Sequence, residues 1–159
     1  MKKFGIGENV LRKEDNRLLT GNGLYMGDIH FENQVHAYVL RSPHANAKIL
    51  SIDTSRAISA PGLIGVYTNN DINEIKPLPC AVDSMFEFKK RDGSKRFFPT
   101  HNVLAANFVR HVGDPVAIIV SEKLDQAKDA AELINVEYEI LPCVVDPEIA
   151  IKNNSYTIY

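Results

Sequence analysis

Residues 110–142 read RHVGDPVAIIVSEKLDQAKDAAELINVEYEILP, and the period of their apolar positions changes twice. Pro115 to Val120 is a short, β-branched apolar run behind a Gly-Asp-Pro turn, the pattern of a buried strand. Pro115 lacks an amide hydrogen, which suits the first residue of that strand and little else in it. From Leu124 the spacing becomes helical: Leu124, Ala127, Ala131 and Ile134 fall on one face, with Asp125, Lys128, Asp129 and Glu132 turned outward. Val136 to Ile140 then alternates as a half-buried strand, stopped by Leu141 and Pro142. The stretch predicts a strand–helix–strand unit.

Working outward, Val35 to Arg41 predicts a strand ended by Ser42-Pro43, and Lys48 to Asp53 a second with Ile49 and Ile52 buried. Thr54 is placed as the N-cap of a short helix running to Ala60 and stopped by Pro61-Gly62. Ile64 to Thr68 predicts a third strand, and Asn69 to Asp71 a turn or short helix. Between Ile75 and Pro99, Pro77, Pro79 and Pro99 mark a largely looped segment. Within it, Phe86 to Phe88 and Arg96 to Phe98 are expected to pair across an Asp92-Gly93 turn. Strands mixed with two or three helices, without regular βαβ repetition, predict an α+β domain with a mixed sheet. The expected division is an irregular arm over 1–33, the domain over 34–150, and a frayed tail over 151–159.

With 159 residues, 45% apolar and 24% charged, the chain has the composition of one soluble globular domain. A net charge of −2 argues against general nucleic-acid binding, which uses a strongly basic face. No run approaches the length of a membrane helix, and the start at Met1-Lys2-Lys3-Phe4 lacks the apolar core of a signal peptide. The chain is therefore expected in the cytoplasm, where Cys80 and Cys143 would be free thiols and Asn153-Asn154-Ser155 would not be glycosylated.

Residue by residue, no catalytic, cofactor-binding or metal-binding group stands out. Gly21-Asn22-Gly23 opens like a nucleotide-binding glycine motif, but the third glycine position holds Met26. Lys89 to Arg96 is the one concentrated basic run, flanked by Phe86, Phe88, Phe97 and Phe98; a solvated turn explains it. His30, His36, His44, His101 and His111 include no i, i+4 pair of a helical zinc site. Ser42 and His44 lie two apart in a turn with no acid placed to orient the histidine, so they do not make a hydrolytic triad. Glu137 and Glu139 share the solvent side of a strand.

Three blocks, in order along the chain, resemble one family. They are Arg12 to Gly21 followed by Tyr25 and Asp28, then Arg41-Ser42-Pro43-His44-Ala45 through Ile49, and then Val112-Gly113-Asp114-Pro115-Val116-Ala117 with Val136, Tyr138, Glu139, Leu141 and Pro142. This wording is similar to the N-terminal module of the large, molybdenum-carrying subunit of the xanthine dehydrogenase, aldehyde oxidase and carbon monoxide dehydrogenase enzymes. The Arg12-Lys13-Glu14-Asp15 opening leans towards the carbon monoxide dehydrogenase branch.

The resemblance implies an α/β-hammerhead fold and a structural role: supporting the cofactor domain and offering contacts to other subunits. Arg41, Ser42, Pro43 and His44 are the residues it points to for a domain or subunit contact. It also implies that molybdopterin with its molybdenum belongs to the rest of the large subunit, and iron–sulfur clusters and FAD to partner subunits. No cofactor is expected in this chain. Further partners in that reading are the molybdopterin-binding portion, the iron–sulfur and flavin subunits, and a second copy of the chain. The alternative is a free-standing module that reuses the fold to bind a small molecule or a protein.

Overall fold

A computed structural model describes residues 7, 12–79, 89–152 and 154–159. Cys80, the Phe86 to Phe88 half of the expected aromatic pairing, and Asn153 lie outside the described residues. The chain divides into two compact units, residues 1–34 and 35–159.

In the first unit, the described residues carry helix α1 (Asp15–Leu19) and a 3-10 turn at Met26–Asp28. Thr20 Oγ1 closes α1 by donating to Asn16 O at 2.7 Å, and the Asp28 carboxylate accepts the Tyr25 N–H at 2.9 Å. Local side-chain-to-backbone bonds of this kind hold short elements that bury nothing.

The second unit is built on two antiparallel sheets. One has strand order β1–β5–β3, from β1 (His36–Arg41), β3 (Leu63–Thr68) and β5 (Pro115–Ser121). The PVAIIV run takes the centre because it is apolar on both faces, whereas β1 and β3 carry polar residues at the edges. Tyr38 and Val66 both stand opposite Ile119, which fixes the register on either side.

Helix α2 (Ser55–Ile58) and helix α3 (Leu124–Glu132) lie against this sheet, α3 across β1 and β5. Ala57, Ala127, Ala130 and Ala131 are buried with Ala117, Ile119 and Ile134 in one core. Alanines on the helix allow its backbone close to the sheet, so the contact is tight without large side chains. The predicted outward residues Asp125, Lys128, Asp129 and Glu132 are exposed. Leu124, assigned to the inner face, is exposed instead, because it opens the first turn; Ala130 joins that face in its place.

The second sheet has order β4–β2–β6, from β2 (Ala47–Asp53), β4 (Phe108–Val109) and β6 (Asn135–Ile140). Its core gathers Ala47, Ala105, Val109 and Val116, and Ile52 and Val136 pack against both cores, joining the sheets. The α+β class holds. The expected mixed sheet resolves into these two, with every named strand pair antiparallel. The strands flanking α3 do not share a sheet as in an ordinary βαβ crossover. Both edges of β5 are already taken by β1 and β3, so β6 pairs with β2.

Local chemistry differs from the sequence expectation at two helix ends. Thr54 does not cap α2 with its side chain; Asp53 Oδ1 accepts the Ser55 N–H at 2.9 Å, and the helix ends at Ile58 rather than Ala60. A further helix, α4 (Pro147–Ala150), is capped by Asp146, whose carboxylate accepts the Glu148 N–H at 2.8 Å. Among the described residues no helix is long and apolar enough to cross a membrane.

Candidate functional site

At the end of β1 the chain turns sharply and is tied to two distant segments. The Ser42 N–H donates to Asp114 O at 2.9 Å, and the Gly113 N–H returns to Ser42 O at 2.8 Å. The Arg41 guanidinium adds a bond to Gly113 O at 2.8 Å. Gly113 has φ +89°, a left-handed conformation that glycine adopts without strain. Ser42 is 2% exposed, and its hydroxyl oxygen accepts the His44 N–H at 3.0 Å while the hydroxyl donates to His44 O at 3.2 Å. Asn46, also buried, donates to Pro142 O at 2.7 Å through its side-chain amide and accepts the Leu141 N–H at 3.0 Å on its backbone carbonyl.

The His44 ring meets the Tyr138 ring edge-on, with centroids 4.9 Å apart. Burial pushes the Tyr138 hydroxyl above the ordinary tyrosine range; the nearby negative charge of Asp114 adds to this and a hydrogen bond with Ser42 opposes it. The segment Arg41 to Asn46, the Gly113-Asp114 turn and the end of β6 thus form one corner. Three blocks far apart in sequence converge there. Arg41 and Pro43 face solvent, and His44 is half-buried. The Ser42 hydroxyl is committed to the His44 backbone and the His44 ring to Tyr138, so these two residues do not form a nucleophile–base pair. Glu137 and Glu139 are exposed, and Glu137 accepts a bond from the Ser51 hydroxyl at 3.0 Å.

The far side of Asp114 faces a cleft of about 340 Å³ whose lining includes Thr100, His101, Asn107, Arg110, His111 and Tyr159. The rings of His101 and His111 stack with centroids 6.4 Å apart and planes 19° apart. The Asp114 carboxylate accepts the Arg110 N–H at 2.9 Å and lies 3.7 Å from His111 Nδ1. The Arg110 guanidinium sits over Phe108 at 5.2 Å and over Tyr159 at 4.5 Å. Sequence reasoning missed this meeting of two histidines ten residues apart, since the intervening loop has no period that would announce it. Among the described residues no group of three His, Cys, Asp or Glu is placed to hold a metal ion, and Cys143 is an exposed free thiol.

The basic run also takes shape. Lys89 and Lys95 form an antiparallel bridge around Gly93, with φ +81°, and the Asp92 carboxylate accepts the Ser94 N–H at 2.9 Å and hydroxyl at 2.7 Å. Those two bonds, the hydroxyl first, hold the Asp92 carboxyl below the usual carboxylate range.

Residues 20–142 match the family described as aldehyde oxidase and xanthine dehydrogenase, a/b hammerhead domain. The chain belongs to this family. It is similar to the nicotine 6-hydroxylase large subunit of Paenarthrobacter nicotinovorans, 40% identical over 148 residues, covering 92% of this chain and 17% of that protein. It is also similar to the carbon monoxide dehydrogenase large chain of Afipia carboxidovorans, 35% identical over 151 residues, covering 92% of this chain and 16% of that one. Among solved structures, quinoline 2-oxidoreductase from Pseudomonas putida 86 superposes with a TM-score of 0.76 at 38% identity, over 97% of this chain and 19% of that chain. The hammerhead chain thus spans about a sixth of the length of the relatives it matches. The resemblance read from the three sequence blocks is the family that the comparisons show.

Proposed function

We propose that this hammerhead domain is a structural module of a cytoplasmic molybdenum hydroxylase large subunit, supporting its cofactor domain and contributing to subunit contacts. The observation that carries this reading is the corner itself. Every block of residues 35–159 that resembles the family is spent on joining segments, through Ser42, Gly113, Asn46 and Leu141, and none on assembling reactive groups. What the corner leaves outward is a contact surface of Arg41, Pro43 and His44. Val112, 65% exposed, adjoins Gly113, and Ile140, 69% exposed, adjoins Leu141, so apolar side chains accompany those polar ones.

The residues present do not fit an iron–sulfur cluster, one of the groups that the family implies. An iron–sulfur cluster takes four cysteine thiolates, and the chain has two cysteines. Among the described residues, no glutamate lines this cleft or a second one of about 480 Å³, between β2 and the 105–107 loop, to serve as a base. No catalytic step is assigned to this chain. Molybdopterin would belong to the remainder of the large subunit, and iron–sulfur clusters and FAD to partner subunits. The first cleft is walled largely by polar side chains, unlike the enclosed apolar pocket of a free-standing small-molecule module.

The test is co-expression of this chain with the molybdopterin-binding portion of such a large subunit. Stable co-purification, weakened about tenfold when Arg41 and His44 are both replaced by alanine, is the expected result. Failure to associate, or association indifferent to the double replacement in a protein that remains folded, would refute the assignment of this corner.

A further inference from the structure

We infer that the cleft lined by His101, Arg110, His111 and Tyr159 is a binding site for a small oxyanion, a phosphate or a carboxylate. The charges in its wall are unbalanced in that direction. One guanidinium and two imidazoles line it, against a single side-chain carboxylate, Asp114. That carboxylate is already engaged by the Arg110 N–H at 2.9 Å and lies 3.7 Å from His111 Nδ1. Among the described residues no carboxylate pairs with the Arg110 guanidinium.

The way Arg110 is held matters more than its presence. The guanidinium carbon lies 5.2 Å from the Phe108 ring centroid and 4.5 Å from that of Tyr159, so two aromatic rings hold the group by cation–π contact beside the cleft. The planar fork of a guanidinium matches the oxygens of a carboxylate or phosphate, and contact with two rings reduces the freedom it would lose on binding. Thr100, Asn102 and Asn107 add a hydroxyl and two amide groups to the same lining. His101 and His111, stacked with ring centroids 6.4 Å apart, add imidazole N–H groups to the same lining.

A second, independent feature points the same way. Five of the chain's 18 lysines and arginines lie within residues 89–96, and that run leads directly into Phe97, which lines the cleft. Positive charge concentrated beside a cleft raises the local concentration of an anion there. The site stands apart from the proposed contact corner in its ligand, although the two share Asp114.

The experiment is a titration of the 159-residue protein by NMR, following the ring signals of His101 and His111, with inorganic phosphate, acetate and benzoate as probes and chloride at matched ionic strength. Saturable shifts with phosphate or a carboxylate, half-complete at about 1–10 mM, are expected. Arg110→Gln should weaken binding about tenfold, and His101→Asn, which leaves the Arg110 stack intact, should weaken it as well. Tighter binding of benzoate than acetate would assign the aromatic walls to a carboxylate ligand, while phosphate alone would assign a phosphate. Shifts that chloride reproduces, or saturable binding unaltered in both variants, would overturn the site.

Discussion

His44 stands edge-on to Tyr138, with ring centroids 4.9 Å apart and planes at 71°, and so fastens the turn after β1 to the far end of β6. The geometry is a favoured one for aromatic rings and keeps the tyrosine hydroxyl on the buried side, beside Ser42 and Asp114. Burial favours the neutral phenol, so the folded Tyr138 titrates above its unfolded value. The stability this contributes is present below the unfolded tyrosine value, near 10, and is lost as pH rises through the higher folded one. A phenolate absorbance titration should show one tyrosine ionising late and together with loss of structure. In Tyr138→Phe that late component should vanish, with a cost of about 1 kcal/mol at neutral pH from the missing hydroxyl bond. A Tyr138 signal titrating at or below the ordinary tyrosine range would contradict the burial argument.

Gly62 and Gly113 should respond differently to alanine although both have positive φ, +70° and +89°. No atom outside its chain neighbours lies within 4 Å of a Cβ built at Gly113, so Gly113→Ala meets backbone strain alone, about 1 kcal/mol. A Cβ at Gly62 would collide with the Gln126 amide, which also accepts the Lys123 N–H at 3.1 Å at the start of α3. Gly62→Ala therefore adds loss of that helix-start bond to the strain, for about 2 kcal/mol in total. Denaturant melts of both variants test the order; equal losses would remove the Gln126 contact from the argument.

The alanine face of α3 sets how near the helix lies to β1 and β5. Ala130 is fully buried against a core that includes Ala117 and Ile119. Ala130→Leu inserts three carbons where there is no room and should cost about 1–3 kcal/mol. Lys128→Ala, two residues away and exposed, removes only a 3.5 Å surface ion pair with Asp125 and should stay within about 0.5 kcal/mol of the parent. A thermal melt in which the leucine variant is as stable as the parent would mean the interface is looser than this packing.

The strand–helix–strand unit was legible because each of its parts repeats with its own period, and Pro115, Leu141 and Pro142 punctuate it. Its sheet partners were not, since no local pattern tells β5 that β1 and β3 will occupy both its edges. The Asp146-Pro147-Glu148 start of α4 carried a readable capping signal that the sequence reading passed over. Thr54 carried the reverse, a good cap residue whose side chain makes no cap bond, while Asp53 one position earlier accepts the Ser55 N–H. The family wording found the corner at Arg41 to His44, but the bonds to Gly113 and Pro142 that shape it span loops and could only be seen folded. The cleft had no sequence signal, as its histidines meet only through the path of the intervening loop.

If the hammerhead chain acts as a scaffold, its purified form should be redox-silent. Its two cysteines cannot build an iron–sulfur cluster, and among the described residues no glutamate lines either cleft to serve as the base of a hydroxylation. Elemental analysis should then give molybdenum and iron far below stoichiometric levels. Dye-reduction assays with aldehydes, purines, N-heterocycles or carbon monoxide should read no rate above the buffer blank. Adding the molybdopterin-binding portion together with iron–sulfur and flavin subunits should restore a rate that depends on this chain, and the Arg41 and His44 double replacement should lower it through assembly. Stoichiometric molybdenum on the isolated chain, or turnover without those partners, would show that the domain holds a reaction centre of its own.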